Sequence, residues 1–238
     1  MSKRGTKATI IAIVGIAAVG SIATIAAPFV YQNFFVEPAA EAPALSADDS
    51  MLDARAEAGE TLDPAELSGE WTIAEGSSAG YRVDEVLNGS PVTVTGRTEQ
   101  VEGTLVVDGL TLESARFSVD VASIATDNGS RDGYFRDQAM NVSAHPTASF
   151  ELSGPVTLET APAAGEVIEQ TLSGELTLAG VTQQVEFDAQ LRSDGESAEI
   201  AGQIPITFAD FGVEAPSLGF VSVEPTGFVE FELVASRG

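Results

Sequence analysis

Cysteine is absent from the 238 residues, which excludes disulfides, thiol catalysis and acylation of a lipoprotein cysteine. Lysine stops at Lys7, and no Asp or Glu precedes Glu37. The region from Glu37 onward therefore sets 8 arginines against all 36 acids, a formal charge of −28. A surface of this sign repels phosphate backbones and anionic lipid headgroups alike, so nucleic acid is excluded as a partner. Its plainest use is solubility or a salty habitat. Histidine occurs once, at His145. With no cysteine and no Asp-x-Asp-x-Asp-Gly loop, no metal site and no cofactor are expected.

What the chain does have is one long apolar run. Ala8 to Val30 is unbroken by charge, follows Lys3, Arg4 and Lys7, and is long enough to span a bilayer. A cleaved secretory signal has a shorter apolar core that ends in a small-x-small site, so a signal anchor is expected here, with cleavage as the alternative. The basic residues on its amino-terminal side place residues 1–36 as a cytoplasmic tip and membrane span, with everything from Glu37 onward outside the cell. Phe29, Tyr31, Phe34 and Phe35 fall where an interfacial aromatic belt would sit.

Residues 37–67 are rich in Ala, Pro, Glu and Asp and poor in large apolar side chains, which makes them an expected stalk spanning on the order of 30 Å. A short helix around Met51 to Ala58 is compatible with it. Residues 68–238 form the globular domain, with enough chain for a sizeable core.

Within that domain the apolar period is two. Ala115, Phe117, Val119 and Val121 alternate with Ser114, Arg116, Ser118 and Asp120. Val185, Phe187, Ala189 and Leu191 do the same, as do Val229, Phe231 and Leu233. These are half-buried strands. Further strands are expected at 71–74, 79–86, 92–97, 102–107, 147–153, 172–178 and 198–206, separated by turn signals such as Asn88-Gly89, Asp108-Gly109, Ala179-Gly180 and Asp194-Gly195. The fold class is all-β: about eight or more antiparallel strands, with Gly96, Gly103, Gly174 and Gly202 suited to the bends of a closing barrel. Asp127 to Ser143 lacks the alternation and reads as a short helical excursion across one barrel end.

Two chemical motifs compete with a binding role. Gly76-Ser77-Ser78-Ala79-Gly80 fits G-x-S-x-G, and His145 follows it in hydrolase order. A nucleophile elbow leads into a helix, whereas Gly80 leads into strand-like Tyr81-Arg82-Val83, so no serine hydrolase is expected. His145 precedes Pro146, which favours extended backbone and a structural role at a strand entry. The Asn-x-Ser triplets at Asn88, Asn128 and Asn141 carry no assigned function.

Six separated blocks then point to a family. Gly69-Glu70-Trp71-Thr72-Ile73, Ser78-Ala79-Gly80-Tyr81-Arg82-Val83, Ser130-Arg131-Asp132-Gly133-Tyr134-Phe135, His145-Pro146-Thr147-Ala148-Ser149-Phe150, Gly174-Glu175-Leu176-Thr177-Leu178-Ala179-Gly180-Val181-Thr182 and Asp210-Phe211-Gly212-Val213 stand in order. Together they resemble the YceI-like polyisoprenoid-binding proteins over nearly the whole domain. The resemblance implies an extended lipocalin-like barrel whose interior takes a polyprenyl lipid or the tail of a quinone. Two departures stand out. Thr207-Phe208-Ala209 occupies a place where family members often carry a basic residue, and Ala139-Met140-Asn141 partly replaces the usual aromatic pair.

An isoprenoid tail offers no hydrogen bonds, so only apolar surface holds it. The candidate lining residues are Tyr81, Phe117, Val119, Phe135, Phe150, Phe187, Phe208 and Phe211, each equally readable as barrel core. Arg131 and Asp132 are candidates for a headgroup contact, the alternative being a local ion pair or cap. The expectation is a non-enzymatic carrier or sequestering protein for an isoprenoid lipid at the outer membrane face. The competing class is an adhesion or scaffolding module with a filled barrel. Exposed barrel edges leave pairing into a homodimer open.

Overall fold

The computed structural model describes residues 39–46, 59–217 and 219–238. The expected membrane span, its aromatic belt and the helix at 51–58 lie outside these residues. Among the described residues no helix is long and apolar enough to cross a membrane.

Eleven strands appear in chain order: β1 (Gly69–Ile73), β2 (Ser78–Leu87), β3 (Ser90–Thr98), β4 (Val101–Asp108), β5 (Thr111–Asp120), β6 (Thr147–Leu152), β7 (Val156–Thr157), β8 (Ile168–Leu178), β9 (Val181–Ser193), β10 (Ser197–Thr207) and β11 (Val221–Arg237). Neighbours run β1-β4-β5-β6-β8-β9-β10-β11, and β11 pairs back to β1. That closes an eight-stranded antiparallel barrel, with β7 on the margin of β5. Closure removes free sheet edges at this end.

The β2–β3 hairpin makes the other end different. β11 is long enough to pair with β1 at Ala235–Arg237 and with β2 over Val221–Glu232. β2 therefore continues the line of β1 beyond a break at residues 74–77, where the Ser77 hydroxyl donates to Ala74 O and accepts from Val234 N. The far edge of β3 has one bridge, Arg97 to Ala125, to the chain that follows β5. Here the wall is completed by α2 (Gly129–Tyr134) and a π-helical turn, Phe135–Ala139. The excursion expected at Asp127 to Ser143 thus fills a gap in the barrel.

Local chemistry explains the hairpins. Asn88-Gly89 and Ala179-Gly180 both take left-handed backbone (φ 52° and 82°; 48° and 80°), the geometry of a two-residue turn matched to strand twist. Pro225, which has no N–H to give, falls inside the register shift between Val223 and Gly227.

The chain ahead of the barrel packs onto it rather than trailing as an unbroken coil. Leu62 and Leu67 are buried in the core, and Thr61 bridges Ala163. Asp63 caps the single turn α1 (Pro64–Leu67) by accepting from Ala65 N. Residues 39–46 cross the outer wall, accepting from Arg82 at Ala40 O (2.6 Å), from Arg97 at Glu41 O (3.3 Å) and from Arg192 at Ser46 O (2.6 Å). Backbone carbonyls and the guanidinium forks of β2, β3 and β9 supply what apolar side chains do not.

Candidate functional site

Inward-facing side chains leave three apolar cavities in sequence along the barrel. The largest, about 630 Å³, lies at the β2–β3 end under the helical excursion. A small one of about 80 Å³ follows in the middle, and a third of about 140 Å³ sits at the closed end beside Trp71. The first and second share Ala79, Val119, Ala148, Leu178 and Val229 as walls. The second and third share Leu105, Leu112, Leu172, Leu191 and Ile200. Side chains, which rotate, separate the three chambers.

Aromatic rings and glycines alternate between neighbouring strands to build this interior. Phe117 on β5 lies where a Cβ at Gly103 of β4 would stand, 2.5 Å away. Phe150 on β6 fills the place opposite Gly174 of β8 in the same way (2.3 Å), and Phe231 on β11 lies over Gly202 of β10 (2.7 Å). The strand glycines are therefore seats for rings as well as bends. The rings then meet one another: Phe117 stacks on Phe150 at 6.4 Å, and Phe150–Phe187 and Phe187–Phe231 are edge-on at 5.5 and 5.7 Å. Such pairs each contribute about 0.5–1.5 kcal/mol beyond their buried area.

All eight apolar positions singled out in the sequence line these chambers. Tyr81, Val119, Phe135, Phe208 and Phe211 face the large cavity, and Phe117, Phe150 and Phe187 surround the middle one. Tyr81 stacks on Phe135 with centroids 4.9 Å apart, which fastens β2 to the excursion. The π-helical turn puts Phe135 and Met140 in one bond, Met140 N to Phe135 O at 2.9 Å, and turns both toward the cavity.

The polar end of the cavity is built from Arg131, Glu85 and Tyr81. Arg131 donates to Glu85 Oε1 (3.3 Å) and to Asp127 Oδ1 (2.7 Å), so it is a cavity-lining cation already held in local ion pairs. Asp132 has a different role. It is buried and accepts from Thr126 N (2.9 Å) and Thr126 Oγ1 (2.7 Å), stapling the loop before α2, and it does not line the cavity. Burial pushes the Tyr81 hydroxyl up to about 12; the Arg131 guanidinium opposes this, while the acidic Asp132, Glu85 and Asp127 add to it.

Glu85 escaped the sequence reading, yet it stands on the inward face of β2 with Tyr81, Val83 and Leu87. The alternation itself carried that signal: an acid on the apolar phase. Phe231, Met140 and Phe220 also belong to the lining. Phe231 lay on an alternation already recognised, whereas Met140 and Phe220 sit outside any strand periodicity. His145 lies over Gly180 at the β8–β9 turn, and Ser78 opens a strand, so the G-x-S-x-G stretch is not an elbow.

The YceI-like domain pattern matches residues 71–235. Among solved structures, a polyisoprenoid-binding domain from Saccharophagus degradans implicated in plant cell wall breakdown superposes with a TM-score of 0.55 at 19% identity, over 71% of this chain and 98% of that one. BcnA of Burkholderia cenocepacia gives 0.52 at 21% identity, over 67% and 96%. At these identities the likeness is one of fold. A comparison with curated proteins found no match.

Proposed function

Because the chain belongs to the YceI-like family, we propose that its barrel carries or sequesters an amphiphilic isoprenoid, the tail in the apolar chambers and the headgroup beside Arg131 and Glu85. The observation that carries this reading is the 630 Å³ apolar cavity continuing through shared side-chain walls into two further chambers. A barrel serving only as a scaffold has no use for such a void, since unfilled volume costs about 24 cal/mol per Å³.

The energetics suit a carrier. Each CH₂ taken from water contributes about 0.8 kcal/mol, so ten buried carbons give roughly 8 kcal/mol. A tail leaving a bilayer gains almost none of this, because it exchanges one apolar medium for another. Loading and unloading at a membrane are therefore nearly balanced, and the barrel matters while the lipid is between membranes or enzymes.

The same reading places the domain at the outer face of the cell membrane, tethered by the apolar run 8–30. Ala39 lies at the start of the segment held against the wall by Arg82, and residues 31–38 supply at most about 28 Å of extended chain between the two. Phe220 lines the cavity and is 59% exposed, an aromatic side chain at the mouth suited to a bilayer interface.

The test is to purify the protein under conditions that strip loose lipid and analyse an organic extract by mass spectrometry. A stoichiometric prenyl lipid or quinone, lost on Phe187→Asp with the strand signature intact by circular dichroism, supports the carrier. An empty extract together with no uptake of added prenyl lipids would overturn it in favour of a scaffold.

A further inference from the structure

Within the carrier reading, we propose that the cavity mouth selects isoprenoids with an uncharged, hydrogen-bonding oxygen, a carbonyl or a hydroxyl, over those ending in phosphate or diphosphate. This rests on the barrel taking the tail, and it adds a rule for the head.

Among the described residues Arg131 is the one basic side chain that lines the large cavity, and both of its terminal nitrogens are engaged, Nη2 by Glu85 and Nη1 by Asp127. Glu85 is 6% exposed and faces the same cavity, Glu214 lines its rim, and Asp132 stands behind Arg131 in the same helix. A diphosphate placed here meets more acids than cations, with its only counter-charge already neutralised. Each like-charge contact made there is repulsive, and less screened than it would be in open water. The rest of the domain does not compensate, since the chain from Glu37 onward sets 8 arginines against 36 acids.

Hydrogen bonding supplies the positive half. Among the described residues the Tyr81 hydroxyl makes no hydrogen bond, although its ring is fixed between Phe135 and Gly96 and lines the cavity. Its proton is held well above neutral pH, so it is a standing donor. The guanidinium of Arg131 and the carboxylate of Glu85 lie in the same cluster and offer a second donor and an acceptor. A carbonyl oxygen or a hydroxyl uses these groups without bringing charge into a wall that is otherwise apolar. Because tail transfer from a bilayer is nearly neutral, this contact is what distinguishes one prenyl lipid from another.

The experiment compares ligands with one tail and different heads: geranylgeraniol, geranylgeranyl phosphate and geranylgeranyl diphosphate, titrated against the full chain in a neutral detergent at pH 7. The alcohol is expected to bind about tenfold more tightly than the diphosphate, with the monophosphate between them, and the gap is expected to narrow as salt is raised. Glu85→Gln should improve diphosphate binding, and Tyr81→Phe should weaken alcohol binding severalfold while leaving the diphosphate unchanged. Equal or tighter binding of the diphosphate to the unmodified protein would overturn the headgroup rule and leave the tail site standing. Binding of none of the three would overturn the carrier reading itself.

Discussion

Tyr81 joins packing and electrostatics in one side chain. Its ring closes the gap between β2 and the excursion, and the same burial pushes its hydroxyl from the ordinary value near 10 to about 12. Folded chains therefore keep this proton at pH values where unfolded chains have released it. The stability it contributes is whole below pH 10 and falls as pH rises toward 12, by on the order of 2–3 kcal/mol. Chemical denaturation across that window should show the fall, Tyr81→Phe should lack it, and phenolate absorbance should reveal one tyrosine titrating late. Gly174 gives a second prediction at this scale. A Cβ there would lie 2.3 Å from the Phe150 ring and 2.6 Å from the Glu151 carbonyl. Gly174→Ala should cost about 1–3 kcal/mol in denaturant unfolding. Phe150→Leu in the same chain should recover only part of that loss, because the carbonyl cannot move aside.

At the scale of elements, the segment 39–46 and the wall beneath it are the least expected feature. Glu230 points outward from β11, opposite in phase to Val229 and Phe231, yet it is fully buried, with Arg82 at 2.5 Å, Arg97 at 2.6 Å and Gln203 at 2.5 Å. Arg192 and Glu199 form a second buried pair further along. A polar cluster on the outer face stays satisfied because both arginines of the first group also donate to the crossing segment. Glu230→Ala would leave those guanidinium groups facing each other without a counter-charge and should cost about 3 kcal/mol. Deleting 39–46 should cost less, about 1 kcal/mol, because it frees Arg82, Arg97 and Arg192 on the outer wall, where water can take the place of the lost carbonyls while each arginine keeps its carboxylate. Thermal unfolding of the two variants separates these outcomes; the reverse order would mean that the segment, and not the ion pairs, holds this wall.

Across the whole molecule, the parts legible in the sequence are those that a period of two dictates. The strands around Phe117, Phe187 and Phe231 were readable because each alternates dry and wet residues, and the barrel followed from their number and from the turns at Asn88-Gly89 and Ala179-Gly180. Other features depend on pairings that no local pattern encodes. The reach of β11 across both β1 and β2 is hidden by Pro225 and Gly227, which read as strand breakers until the register shift accommodates them. The ion-pair partners of buried Glu230, Arg82 and Arg97, lie 148 and 133 residues earlier in the chain. Leu62 looked like part of a stalk because the chain it and Thr61 meet, at Pro162 and Ala163, is a hundred residues away, whereas Leu67 accepts from the Trp71 indole only one turn further on. The residues that line the chambers were legible as a set, because inward-facing aromatics on alternating strands line a barrel interior whatever it holds. Asp132 was legible only as one of two charges in an Arg-Asp block, and its bond to Thr126 separates the two roles.

Uptake of geranylgeraniol by the full chain carrying Val119→Trp, a substitution that fills the cavity wall from β5, tests directly whether the tail occupies the large chamber. With the tail inside, uptake falls about tenfold while the melting temperature stays close to that of the unmodified protein, because the 630 Å³ void has room for the added ring. Undiminished uptake by a folded, plugged barrel would contradict this placement and put the lipid somewhere other than inside.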